Sequence, residues 1–298
     1  MSKQRITGSR PNYTAPRERY GKRIFARGVE LLENTKVTGL NNNVLVIGNS
    51  GCGKTGSYIC SVLSDIKSSV ILQDVKGLLY DMFSGELRAK GYNIIRLDFT
   101  EPEKSQGYNP LAAVKRNKDG SIYEPDVKAI ADAISPVNSG CKEPYWDMSA
   151  ASMIEFVIAY ALEALPKEYH SMTSVLELFH TYIQNNGDAY FIKWIKDNPD
   201  SLSARLFSET QATRPSERTF ASTAGIAASH LNCFNMKELR YIFDNKISVD
   251  LADIGRRKTA VFIKTSDTEH NLDNIVSLFY TQTLQALCRD CLLYTSPS

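Results

Sequence analysis

The sequence predicts an α/β protein: a parallel sheet covered by helices, interrupted by an all-helical insertion. Three observations predict it. Residues 43–55 (NVLVIGNSGCGKT) are an apolar run, a glycine-rich loop and Lys-Thr, fitting G-x-x-x-x-G-K-[ST] without a mismatch. Apolar runs at 69–73 and 92–97 then alternate with segments of helical spacing, as in consecutive βαβ units. Between about 120 and 205 the strand pattern stops and helical spacing alone remains.

Taken in order, residues 1–23 contain Pro11, Pro16 and many polar groups and read as a poorly ordered lead-in. A short helix is expected from Ile24 to Leu32. Val44 to Ile47 is expected as a buried parallel strand, and Tyr58, Ile59, Val62, Leu63 and Ile66 recur at the spacing of the helix that follows it. Ser69 to Gln73 reads as a second strand and Leu78 to Lys90 as a helix with Gly91 as its C-terminal cap. Tyr92 to Leu97 reads as a third strand. Right-handed crossovers would set the glycine loop and Asp74 at the same edge of the sheet.

Helices are expected at 125–133, 146–165, 175–184 and 189–196, between the turn-rich boundaries Lys118-Asp119-Gly120-Ser121 and Asn198-Pro199-Asp200-Ser201. A polar helix from Arg218 to Leu231 follows, then a buried strand from Thr259 to Lys264 and an amphipathic helix from Asn271 to Cys288. The expected organisation is a basic lead-in over 1–36 and a nucleotide-binding domain in two parts, 37–116 and 206–298. The helical insertion occupies 117–205.

Bulk properties narrow the class. At 298 residues, 43% hydrophobic and 23% charged, the composition is that of a soluble globular protein. No apolar run is long enough to span a bilayer, and MSKQRITGSR is too polar for a secretory signal. Six cysteines are scattered. Only Cys288 and Cys291 make a C-x-x-C, with no second pair to complete a zinc site. His170, His180, His230 and His270 share no metal-ligand spacing. The net charge of +2 hides nine Lys/Arg against three Glu in residues 1–36, leaving 26 basic against 30 acidic residues beyond. Such an arm suits an anionic neighbour, nucleic acid or lipid, or a solvated leader.

The loop carries the chemistry. The backbone of Gly48, Asn49, Ser50, Gly51, Cys52 and Gly53 can curl so that successive N–H groups meet one phosphate, with the next helix adding its positive end. Lys54 would reach the β- and γ-phosphates of ATP, and the Thr55 hydroxyl would ligate Mg²⁺. A catalytic carboxylate is expected at the end of a neighbouring strand, and only Asp74 and Asp98 follow apolar runs. Asp74 can face the Mg²⁺ and phosphates, or cap the helix after it. Arg214 and Arg218 flank the polar turn QATRPSER, where an arginine finger or a plain surface charge can sit.

Several segments together resemble the type IV coupling proteins, the TraG-like ATPases of conjugative DNA transfer. They are the loop at 43–55, Asp74-Val75-Lys76-Gly77, Gly107-Tyr108-Asn109-Pro110-Leu111 and Pro144-Tyr145-Trp146-Asp147. Residues 219–224, 258–267 (KTAVFIKTSD) and 277–282 (SLFYTQ) complete the set. The resemblance implies a RecA-like P-loop NTPase with helices on both faces of its sheet and an inserted helical domain. It also implies ATP hydrolysis in a homo-oligomeric ring and delivery of single-stranded DNA with its relaxase to the secretion channel. A cytoplasmic position at the inner face of the cell membrane is implied too.

Three features depart from the family pattern. Val75 replaces a proline, no membrane-spanning helices precede the loop, and the acidic strand expected after the 277–282 helix is not reached. The closing LLYTSPS resembles translated sequencing adapter, so a truncated frame is expected, one that binds nucleotide with little turnover. Alternatives are a nucleotide-binding module without turnover, a septum-type double-stranded DNA translocase, and a P-loop kinase. The kinase would need clustered lid arginines that are not seen.

Overall fold

The computed structural model describes residues 22–26, 28–137, 144–244, 248–266 and 272–295. Two compact units divide it, residues 1–68 and 69–298. The lead-in at 1–21, Cys141 and His270 lie outside the described residues.

In the first unit, β1 (Lys22–Ala26) and β2 (Val29–Leu32) form an antiparallel hairpin, with Arg23 opposite Leu31 and Ile24 opposite Glu30. The helix expected over 24–32 is therefore corrected to two strands. Gly28, at φ 75°, supplies the reversal, and Ile24, Phe25 and Val29 favour the extended chain. A one-turn helix, α1 (Thr35–Thr38), follows; the Asn34 carboxamide accepts from the Lys36 N–H at 3.0 Å.

Val44–Ile47, expected as a buried strand, forms none, and Leu45 and Ile47 are 84% and 86% exposed. A parallel strand exists through its ladder, and among the described residues no strand bonds to this run. The helix after the loop also departs from regularity. Lys54–Ile59 is a π-helical turn, in which the Cys60 N–H reaches back to Thr55 O, and only Cys60–Ser64 (α2) is α-helical.

The second unit holds a parallel sheet. β3 (Val70–Gln73), α3 (Leu78–Ala89) and β4 (Asn93–Asp98) fall where the sequence places them. Gly91, at φ 83°, ends α3: its N–H donates to Arg88 O and the Tyr92 N–H to Leu87 O, both at 3.0 Å. Six longer helices follow before the next strand: α4 (Glu124–Ile134), α5 (Tyr145–Ala164), α6 (Met172–Ile183), α7 (Asp188–Asp197), α8 (Leu202–Thr210) and α9 (Glu217–Leu231). Two single turns, α10 (Arg240–Phe243) and α11 (Asp253–Arg256), lead to β5 (Thr259–Lys264) and α12 (Asp273–Thr295). The sheet order is β3-β5-β4, so the last strand in sequence is the central one, flanked on both sides and buried along Thr259–Ile263.

No strand lies among the described residues of α4 to α9. α5 is apolar around most of its circumference and is the hub of this layer, packed by α4, α6, α8 and α9. Phe156 on α5 meets Tyr182, Phe191 and Phe207 at ring-centroid distances of 5.2, 5.2 and 5.3 Å. Helix α8 was not foreseen. The turn read as a boundary at 198–201 is a helix start: Ser201 Oγ accepts from the Ala204 N–H, and the Glu163 carboxylate accepts from Leu202 and Ser203. The expected boundary at 205 falls inside that helix.

Candidate nucleotide-binding site

In the first unit the loop has the backbone that its glycines permit. Gly51 and Gly53 stand at φ 78° and 85°, where a side chain would be strained. A Cβ on Gly48 would run into Cys52 Sγ, so a larger residue there would make the cysteine side chain turn away. Lys54 Nζ folds over the loop and donates to Gly48 O at 2.6 Å and Asn49 O at 2.9 Å, with Cys52 Sγ 3.9 Å away. Asn49, Ser50 and Thr55 are exposed. The lysine thus holds a concave loop closed with neutral carbonyls, partners that an anionic phosphate would outcompete by charge. Thr55 leaves its hydroxyl at the surface, where it could take Mg²⁺.

The second unit gathers charge at the C-terminal edge of its sheet. Asp74 extends the β3 ladder with its N–H on Ile263 O at 2.8 Å, and its buried carboxylate accepts the Tyr80 N–H at 2.8 Å. That bond is a cap on the first turn of α3. Asp98, at the end of β4, is completely buried and accepts from the Arg96 guanidinium, from both the N–H and hydroxyl of Thr100, and from the Glu101 N–H. Burial alone would push its carboxyl up; these bonds outweigh that and hold it below the usual carboxylate range.

Lys264, closing β5, lies 3.6 Å from Asp98 and 3.1 Å from Glu101. Glu101 also binds Lys104, and Lys104 and Lys264 together lower its pKa. The stem of Lys264 runs 3.4 Å from where a Cβ on Gly77 would stand. One lysine therefore links the turns after β3 and β4. Sequence reasoning noticed Asp98 but not this cluster, because Lys264 comes more than 160 positions later and only the parallel register, Asp98 opposite Lys264, joins them.

Arg214, read from the sequence as a candidate finger, is held inside the helical layer. Its Nη2 donates to Asp188 Oδ1 at 2.5 Å and Tyr182 O at 2.7 Å, and its plane lies 3.8 Å from the Phe220 ring centroid. It ties α6, α7 and α9 together. Arg218 is exposed on α9, with no ion pair among the described residues. His170 and His230 bond Leu165 O and Ser135 Oγ, and no group of three His, Cys, Asp or Glu among the described residues could hold a metal. The partner of Cys288 in the C-x-x-C, Cys291, has no described side chain.

The parallel sheet, its covering helices and the phosphate loop define an α/β protein of the P-loop class. The family of type IV secretory system conjugative DNA transfer proteins matches residues 4–291, and the chain belongs to that family. Among solved structures, the bacterial conjugative coupling protein TrwBΔN70, in an unbound monoclinic form, is similar. It is 14% identical with a TM-score of 0.43, over 74% of this chain and 52% of that one. The plasmid coupling protein TrwB with the non-hydrolysable ATP analogue ADPNP is 12% identical (TM-score 0.41; 73% and 52% covered). TrwB with ADP and Mg²⁺ is 14% identical (TM-score 0.41; 73% and 52% covered). The chain spans about half the length of these structures. No curated protein matches it.

Proposed function

We propose that this chain is the ATP-binding portion of a conjugative coupling protein, a motor that passes single-stranded DNA and its relaxase to a type IV secretion channel. The observation that carries the reading is a complete phosphate loop, closed by its own Lys54, inside a chain matched by the conjugative DNA transfer family over 4–291. Gly48 to Gly53 supply backbone N–H groups, Lys54 neutralises the β- and γ-phosphates, and Thr55 holds Mg²⁺. Asp74 is the carboxylate proposed as a further Mg²⁺ ligand, through the oxygen that does not cap α3. Arg218, exposed and without an ion pair among the described residues, is a better candidate than Arg214 for acting on a neighbour's nucleotide in a ring.

No helix among the described residues is long and apolar enough to cross a membrane. A position at the inner face of the cell membrane is proposed on the resemblance to the coupling proteins alone. The test is equilibrium binding of ATP with Mg²⁺ to the parent and to Lys54→Ala; equal affinity in the two would overturn the reading.

A second reading, binding with little turnover, is favoured by the sheet edge. Hydrolysis needs a carboxylate to orient and deprotonate water, a contribution of roughly 10²–10⁴-fold. Of the two carboxylates that follow β3 and β4, Asp98 is saturated by cations and N–H groups and Asp74 caps a helix. Turnover at saturating ATP, measured beside affinity, separates the readings: tight binding with fast release of phosphate would exclude the second.

A further inference from the structure

The first unit holds a cavity of about 340 Å³ lined by Arg23, Phe25, Leu31, Leu40, Asn43 and Leu45, among others. Its walls are built rather than incidental. Arg23 donates through Nε to Glu33 Oε1 at 3.0 Å and through Nη1 to Asn42 O at 2.8 Å, bracing the hairpin against the asparagine turn. The Asn42 carboxamide returns a bond to Glu33 O, and Asn41 Oδ1 accepts the Asn43 N–H at 3.0 Å. With those bonds made, one carboxamide at the cavity remains without a partner among the described residues: the side chain of Asn43. The rim is apolar and uncovered, Leu40 at 51% and Leu45 at 84% exposed.

The cavity is coupled to the phosphate loop in two ways. Leu45 lines it, and Gly48 follows three residues later, within about 11 Å by the reach of an extended chain. Phe25 also stacks on Tyr58 of the helical turn after Lys54, with ring centroids 5.8 Å apart and planes inclined by 28°. An extended ribose and phosphate chain bridges such a separation.

We propose that this cavity is the base subsite of the nucleotide whose phosphates the loop holds, and that Asn43 selects adenine. The occupant needs a flat apolar ring to lie against Phe25 and the leucines, with a donor beside an acceptor on one edge. Adenine presents that pair, and a side-chain amide matches it with two hydrogen bonds. Guanine presents two acceptors on the corresponding edge and sets the amide oxygen against one of them, an acceptor-to-acceptor mismatch. The inference rests on the phosphate-loop reading, so the experiment measures the two separately.

Calorimetric titration of the full chain with ATP, GTP and inorganic tripolyphosphate, each with Mg²⁺, is compared for the parent, Asn43→Ala and Phe25→Leu. The parent should bind ATP more tightly than GTP, and ATP more tightly than tripolyphosphate. Asn43→Ala should lose on the order of tenfold or more in ATP affinity, with tripolyphosphate unchanged. Phe25→Leu, whose folding is checked by circular dichroism, should weaken ATP and GTP alike. Asn43→Ala binding ATP with the parent's affinity, or a parent that binds tripolyphosphate more tightly than or equal to ATP, would overturn the base subsite alone. A parent that binds neither ATP nor tripolyphosphate would overturn the phosphate-loop reading and this inference with it.

Discussion

Lys54 donates to two carbonyls of its own loop, packs no core, and stands half-exposed. Lys54→Ala therefore removes a charge and no buried surface. Its free energy of unfolding in urea should match the parent's to within about 0.5 kcal/mol while ATP affinity is lost. Glu155 behaves in the opposite manner. It is 6% exposed on α5, without a hydrogen-bond partner among the described residues, near Lys128, Asp132, Glu124 and Glu209. Burial raises its pKa, and Lys128 only partly offsets this. Between the ordinary carboxylate value and that raised value, the native state keeps a proton that the unfolded chain has released. Stability contributed by this group is thus whole at acid pH and falls as pH rises through the window. Glu155→Gln should raise the thermal midpoint at neutral pH, and the gain should vanish below about pH 4; a gain equal at both pH values would exclude titration as the cause.

At the scale of elements, α3 depends on a cap that comes from outside its own first turn. Asp74→Ala leaves the Tyr80 N–H without its acceptor and should cost about 1–2 kcal/mol in urea unfolding, with or without nucleotide. If Asp74 also ligates Mg²⁺, the same variant loses the Mg²⁺ dependence of its nucleotide affinity; if it only caps, that dependence survives. The strands and most of the longer helices of the second unit, α8 excepted, were legible because each carries its own signal. TAVFIK is apolar enough to be central wherever its partners come from, and the Gly91 stop sits beside a helical period. Val44–Ile47 misled for the complementary reason: it has a strand's composition, but pairing is a property of two segments. The hairpin at 22–32 was missed because its length suits either structure and the reversal hangs on Gly28. At the site, the positive φ of Gly51 and Gly53 was legible from the G-x-x-x-x-G-K-T spacing. The commitments of Arg214 and Asp98 were not, since each depends on groups distant in sequence.

At the scale of the molecule, uncovered apolar surface sits on the run leading into the loop, where Ile47 is 86% exposed. Such patches promote association. Ile47→Thr, which does not line the proposed base cavity, should reduce light scattering of concentrated protein while leaving tripolyphosphate affinity unchanged. The placement of β5 between β3 and β4 has a temporal consequence. A ribosome releases β3 and β4 long before it releases the strand that joins them, and the α4–α9 layer emerges in the interval with its own aromatic core ready to form. Long-range parallel pairing is also slow. The helical layer should consequently fold first during synthesis, and the nascent sheet edges would wait as chaperone clients. Pulsed hydrogen exchange during refolding checks this: amides of α5 should gain protection before those of Val70–Gln73 and Asn93–Asp98, and those two strands should be protected together, when the middle strand arrives.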